Sequence, residues 1–219
     1  MHRNKAWPSR LIPILATILF STQASAQQIH IGRFSNNDLS GWEEKSFVEN
    51  TQYGLSQDNN KTVLKAQTSG TASGMFHKID IDLNKTPYLN WSWKIDNIYQ
   101  GNNEHSKAGD DYPARIYVVV SGGLFFWKTR AINYVWSSNQ PIGTSWENAY
   151  TGKVRMLAVR SGGDETGQWQ TQKQNIREDL KQQFGEDINE INAIAIMSDS
   201  DNTQQKATAY YGDIFFSAE

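Results

Sequence analysis

Between Tyr88 and Ile98, the apolar residues Leu89, Trp91, Trp93 and Ile95 take every second position, with polar residues between them. Side chains of a strand alternate between its two faces, so this spacing describes a strand with one face in a core. The alternation returns in Gln28–Phe34, Thr62–Ala66 and Gly74–Leu83. Arg115–Val120, Ala131–Trp136, Val154–Val159 and Thr208–Phe216 are rich in β-branched and aromatic residues, and Ile191–Met197 is an apolar run suited to a strand covered on both faces. Turn-forming clusters separate these runs, among them Ser35–Asp38, Asp58-Asn59-Asn60 and Ser161-Gly162-Gly163. The pattern predicts an all-β chain folded as an antiparallel β-sandwich.

One segment departs from it. Ile176, Leu180 and Phe184 fall at the four-residue spacing of one helical stripe. Thr171 and Gln174 match a capping box, and Gly185 a helix stop. We expect one amphipathic helix covering an edge or end of a sheet.

Residues 1–26 have the pattern of a secretory signal peptide. His2, Arg3, Lys5 and Arg10 make a basic start, Leu11–Phe20 is apolar, and Ala24-Ser25-Ala26 fits a cleavage site. The apolar run is short for a bilayer span. The expectation is an exported protein, periplasmic or extracellular, with residues 27–219 forming a single β-sandwich domain and no integral membrane segment after cleavage. Loss of Arg3, Lys5 and Arg10 takes the formal charge from −2 to −5. An acidic chain with no basic run has no electrostatic footprint for nucleic acid. The chain has no cysteine. This excludes disulfides and zinc–thiolate sites, so stability must come from the core.

Three polar clusters stand out. Lys107-Ala108-Gly109-Asp110-Asp111-Tyr112-Pro113-Ala114-Arg115 leads into a strand. Its carboxylates suit sugar hydroxyls or a hard cation, and Arg115 an acidic group. Ser198-Asp199-Ser200-Asp201-Asn202-Thr203 follows the apolar run and spaces its oxygens like the start of a calcium loop, without the glycine and glutamate of an EF-hand. Asp213 lies in an apolar closing strand, a costly place for an unpaired charge. Trp127, Trp146 and Trp169 lie near loops, where an indole can stack on a sugar ring. No G-x-S-x-G or H-E-x-x-H motif occurs.

Several segments together resemble a bacterial secreted family, the domain of unknown function 3047. They are Leu89–Asp96, Lys107–Tyr112 with Ala114–Val118, Tyr134–Asn139, Ala158–Gly162, Ala195–Thr203 and Tyr210–Ile214. The resemblance brings no activity with it. It implies a galactose-binding-like jelly roll, the shape of many carbohydrate-binding modules, and a structural calcium joining Asp213 to oxygens near Asp38. The expected ligand-binding residues are Lys107, Asp110, Asp111, Tyr112, Arg115, Trp136, Asn139, Arg160, Asp199, Asp201 and Asn202. The leading expectation is an exported binding protein for a glycan or another polar ligand. The alternatives are an envelope structural or interaction protein and a glycan-active hydrolase or lyase.

Overall fold

The computed structural model describes residues 27–124 and 128–219. The leader and Trp127 lie outside the described residues. In chain order the strands are β1 (Gln28–Gly32), β2 (Trp42–Val48), β3 (Gln52–Asp58), β4 (Lys61–Ser69), β5 (Ala72–Asp82), β6 (Tyr88–Ile95), β7 (Ala114–Val120), β8 (Arg130–Ser137), β9 (Ser145–Asn148), β10 (Thr151–Ser161), β11 (Gln170–Asn175), β12 (Glu190–Asp199), β13 (Lys206–Tyr211) and β14 (Ile214–Ser217). Helix α1 (Ile176–Phe184) joins β11 to β12.

Two seven-stranded sheets form. In the first, β13 and β14 lie end to end along one side of β6, interrupted at Gly212-Asp213. Beyond them lie β4, which pairs with β13, and β1, which pairs with β14, while β3 pairs with the far side of β4. Strand β11 pairs with β6 as well. The second sheet runs β2-β5-β12-β7-β8-β10-β9. Its pairs are antiparallel except β8 with β10, which are parallel. Among the described residues the fold is therefore the expected β-sandwich with one α-helix, with one parallel pair among the antiparallel ones.

The core lies between the sheets and is built on the alternation of β6. Leu89, Trp91, Trp93 and Ile95 are all buried. The Trp91 ring stands 5.6 Å from Tyr134 and 5.4 Å, edge-on, from Trp93, which is 6.0 Å from Trp136. Ile116, Val118, Ile194, Ile196, Tyr211 and Phe216 complete this layer. Ile176 and Leu180 of α1 join it.

The helix starts differently from the expectation. Thr171 and Gln174 sit in β11, opposite Ser92 and Leu89, so they form no capping box. The strand runs on to Asn175, whose side chain accepts from the Glu178 amide and caps the helix. Gly185 ends it as expected, at φ +72°, with its amide donating to the Lys181 carbonyl. No helix among the described residues is long and apolar enough to cross a membrane.

The outer face of the second sheet is partly roofed. Tyr112, Val135, Trp146, Met156 and Ala158 form a small apolar cluster there. The loop before β7 is pinned over it by Glu104, which accepts from Ser137 Oγ at 2.5 Å and from the Ser138 amide at 2.6 Å. The open part of that face is the candidate site.

Candidate ligand-binding site

The register of the second sheet sets the rows of this site. Phe76 on β5 faces Ala195 on β12, which faces Tyr117 on β7. One step along, Gly74 faces Met197, which faces Arg115. Because Ile116 and Ile196 point into the core, Arg115, Tyr117, Met197 and Asp199 point outward. Together with Phe47 and Val48 from β2 and Tyr150 from the β9–β10 turn, they line a cleft of 610 Å³. Phe47 is 55% exposed, a large apolar ring left in solvent.

Arg115 is the cation of this cleft and is itself 3% exposed. Nη2 donates to the Asp199 carboxylate and to Met197 Sδ at 3.3 Å. The guanidinium lies between two rings, 5.2 Å from Tyr112 and 5.4 Å from Tyr117. Its Nε and Nη1 make no hydrogen bond. Burial opposes the charge on Arg115, but Asp199, Tyr117, Asp110 and Tyr112, with Asp199 foremost, together outweigh burial, so the guanidinium stays protonated.

Four carboxylates gather around it. Asp199 accepts from the Tyr112 amide at 3.2 Å, and its own carbonyl takes the Tyr99 hydroxyl at 2.6 Å. Asp111 accepts from Asn202 Nδ2 at 3.0 Å and from the Thr203 amide at 2.5 Å, tying the loop before β7 to the loop after β12. Asp110 Oδ2 accepts from Asn148 Nδ2 at 2.8 Å, while its buried Oδ1 makes no hydrogen bond. Burial raises the pKa of Asp110, Asp199 and Asp201 above the ordinary carboxylate range. Neighbouring carboxylates add to this, Asp111 foremost for Asp199 and Asp201. Asp111, Asp199 and Asp201 each bring an oxygen within 4.8 Å of the others, the group among the described residues that could hold a hard cation.

The fold thus gathers Asp110, Asp111, Tyr112, Arg115, Asp199, Asp201 and Asn202 in one place. Lys107 joins at the rim, its Nζ 5.2 Å from the ring of Tyr150, whose hydroxyl donates to Asn202 Oδ1 at 2.8 Å. Other expected residues lie apart. Trp136 is fully buried between the sheets and donates to the Gly162 carbonyl, so it has no face for a ligand. Asn139 donates to the Asn102 carbonyl, and Arg160 pairs with Glu165 at 3.1 Å; neither lines the cleft. Trp146 is buried beside His105, and Trp169, just before β11, lines a cleft on the other sheet. Asp213 accepts from the amide and hydroxyl of Ser35, and Asp38 accepts from the Ser40 amide.

The sequence reading missed Phe47, Phe76, Tyr117, Tyr150 and Glu104. Tyr117 carries a usable signal, since it stands two residues after Arg115 and shares its face. Phe47 and Tyr150 are single aromatics in polar stretches and carry none.

Residues 40–215 match the family described as protein of unknown function (DUF3047). This chain belongs to that family. No curated protein matches this DUF3047 chain. Among solved structures, its fold is similar to the family 30 carbohydrate-binding module of the cellulosomal cellulase Cel9D-Cel44B of Clostridium thermocellum. That match has a TM-score of 0.51 and 11% identity, and covers 88% of this chain and 98% of the module. A family 11 carbohydrate-binding module from Clostridium thermocellum, in complex with a β-1,3-1,4-mixed-linked tetrasaccharide, gives a TM-score of 0.46 at 10% identity, with 88% and 96% covered. The xyloglucanase domain of NopAA from Sinorhizobium fredii, in complex with cellobiose, gives 0.45 at 10% identity, with 90% and 100% covered. At such identities, the likeness of the DUF3047 chain to the family 30 module is one of fold alone.

Proposed function

We propose that this DUF3047 chain is an exported glycan-binding protein and that its ligand lies in the cleft on the second sheet. The observation that carries the reading is the pairing of polar side chains with aromatic walls. Asp110, Arg115, Asp201 and Asn202 line the cleft among Phe47, Phe76, Tyr117 and Tyr150. Beneath that surface Arg115 Nε and Nη1 and Asp110 Oδ1 keep unspent hydrogen-bonding capacity. A sugar offers the complement of such a surface: hydroxyls that both donate and accept, and apolar C–H faces that meet aromatic rings.

Binding is favoured over glycoside cleavage by how the carboxylates are used. Asp111 is committed to the Asn202 side chain and the Thr203 amide, and Asp199 to Arg115 and the Tyr112 amide, while Asp110 and Asp201 each accept from an asparagine side chain, Asn148 and Asn202. Cleavage needs two carboxyl groups free to face one bond.

A glycan array followed by calorimetry on the full chain tests the reading. We expect at least one glycan to bind, and Tyr117→Ala to weaken it tenfold or more. An array with no binding, or binding unchanged by Tyr117→Ala and Phe76→Ala, overturns it. Calcium is part of the same reading. Terbium luminescence sensitised by Tyr112 and Tyr117 should appear in the wild type and fall in Asp201→Asn if the three-aspartate group holds the ion. A fall in Asp213→Asn instead places it at Asp38 and Asp213. Export is tested by whether the full-length chain, expressed in a bacterium, is recovered outside the cytoplasm starting at Gln27.

A further inference from the structure

We infer that the outer face of the first sheet carries a second carbohydrate cleft, selective for neutral sugars, so that one molecule can hold two glycan chains at once. The inference rests on the glycan reading for its ligand class, but on different residues.

A cleft of 730 Å³ opens on that face, lined among others by Asn90, Ser92, Thr171, Trp169, Lys61 and Asp213. Its floor follows from the register. Leu89, Trp91 and Trp93 point into the core, so Asn90 and Ser92 on β6 point outward, and Thr171 on β11 sits opposite Ser92. The depth comes from the interruption between β13 and β14. Gly212 donates its amide to the Ser92 carbonyl, and a Cβ at 212 would lie 2.3 Å from Ser92 Oγ. Any side chain there would displace that hydroxyl.

The wall is Trp169. Its Nε1 donates to Asp58 Oδ2 at 2.6 Å, and the same oxygen takes Lys94 Nζ at 2.9 Å. That ammonium lies 5.6 Å from the Trp169 ring and 4.3 Å from the Tyr210 ring. The bonds from Lys94 and Trp169 hold the Asp58 carboxyl below its ordinary range, so the clamp is charged at neutral pH. The half-buried indole is thus fixed in orientation before any ligand arrives, which lowers the entropic cost of stacking. A fixed indole beside a row of amide and hydroxyl groups is what a pyranose ring can use on its apolar face and its edge together.

The two clefts differ in charge. Here Asp58 is matched by Lys94, and Asp213 is spent on Ser35. The cleft on the second sheet brings Asp110, Asp199 and Asp201 against Arg115, with Lys107 only at its rim. The clefts lie on opposite outer faces of a sandwich whose layers pack about 10 Å apart. The two sites therefore engage separate stretches of glycan.

The test is a glycan array of neutral and acidic tetrasaccharides, probed with the wild type, Tyr117→Ala, Trp169→Ala and the double variant, with calorimetry on each hit. Asn90→Ala serves as the second variant should Trp169→Ala fail to fold. We expect neutral glycans that survive Tyr117→Ala and lose tenfold or more with Trp169→Ala, and a stoichiometry of two where one glycan fits both clefts. Glycans lost to Tyr117→Ala and untouched by Trp169→Ala and Asn90→Ala, at a stoichiometry of one, overturn the second cleft and keep the first. Glycans lost only to Trp169→Ala keep the second and overturn the first. No binding at all overturns both.

Discussion

Arg115 shows how a charge can be kept inside a sheet: one carboxylate partner, one thioether and two tyrosine rings. Removing one member of such a buried pair leaves the other uncompensated, at a cost of about 3–5 kcal/mol. Asp199→Ala should lower unfolding free energy by that amount in urea titration, and more than Asp201→Ala, which removes a less buried group. Asp110 allows a pH test. Its folded pKa is raised by burial, so the native state holds the proton more tightly than the unfolded chain does. The stability linked to Asp110 is then present below its unfolded pKa and lost as pH rises through the folded value. Asp110→Asn, whose amide oxygen can still accept from Asn148, should raise Tm at neutral pH, with the gain shrinking as pH falls into the ordinary aspartate range. The polar residues of the site were legible because Asp110, Asp111, Arg115, Asp199 and Asp201 crowd the ends of two strong strand patterns. Trp136 was misplaced for a physical reason: alternation shows that a residue lies on one of two faces, not which face meets the other sheet.

At the scale of elements, four strands carried no readable pattern: β2, β3, β9 and β11. All four lie at sheet margins. A margin strand has less apolar surface to bury and can carry polar residues on both faces, as Gln170–Asn175 does, so the alternation that reveals a central strand fades. The helix was legible from its stripe, while its start was hidden because a strand runs into it without a turn. Asn175→Ala should cost about 1 kcal/mol through loss of the cap. Gly185→Ala, forced to positive φ, should cost at least as much. Both are measurable by denaturant unfolding, with glycan binding unchanged, since α1 lines neither cleft.

At the scale of the molecule, a single inter-sheet core underlies both candidate clefts. Trp93→Ala should cost about 3–5 kcal/mol. In thermal melts, far-UV signal and ligand protection at both faces should be lost in one transition, because neither sheet can keep its inner face buried alone. Most strand contacts join residues distant in sequence, as β1 does with β14, so refolding should be slow for a chain of this size, in milliseconds to seconds by stopped flow.

The aromatic stack of Trp91, Trp93, Tyr134 and Trp136 also gives the protein an optical signature. Two indoles 5.4 Å apart at 86° hold their transition dipoles in a fixed, chiral arrangement, which should produce a coupled pair of circular-dichroism bands that vanishes on unfolding. Trp169 stands on the outer face of the first sheet, in the cleft on that face. The difference in emission between the wild type and Trp169→Phe isolates its signal from the other indoles, so circular dichroism can report the integrity of the interior and fluorescence the occupancy of a surface, with no added label.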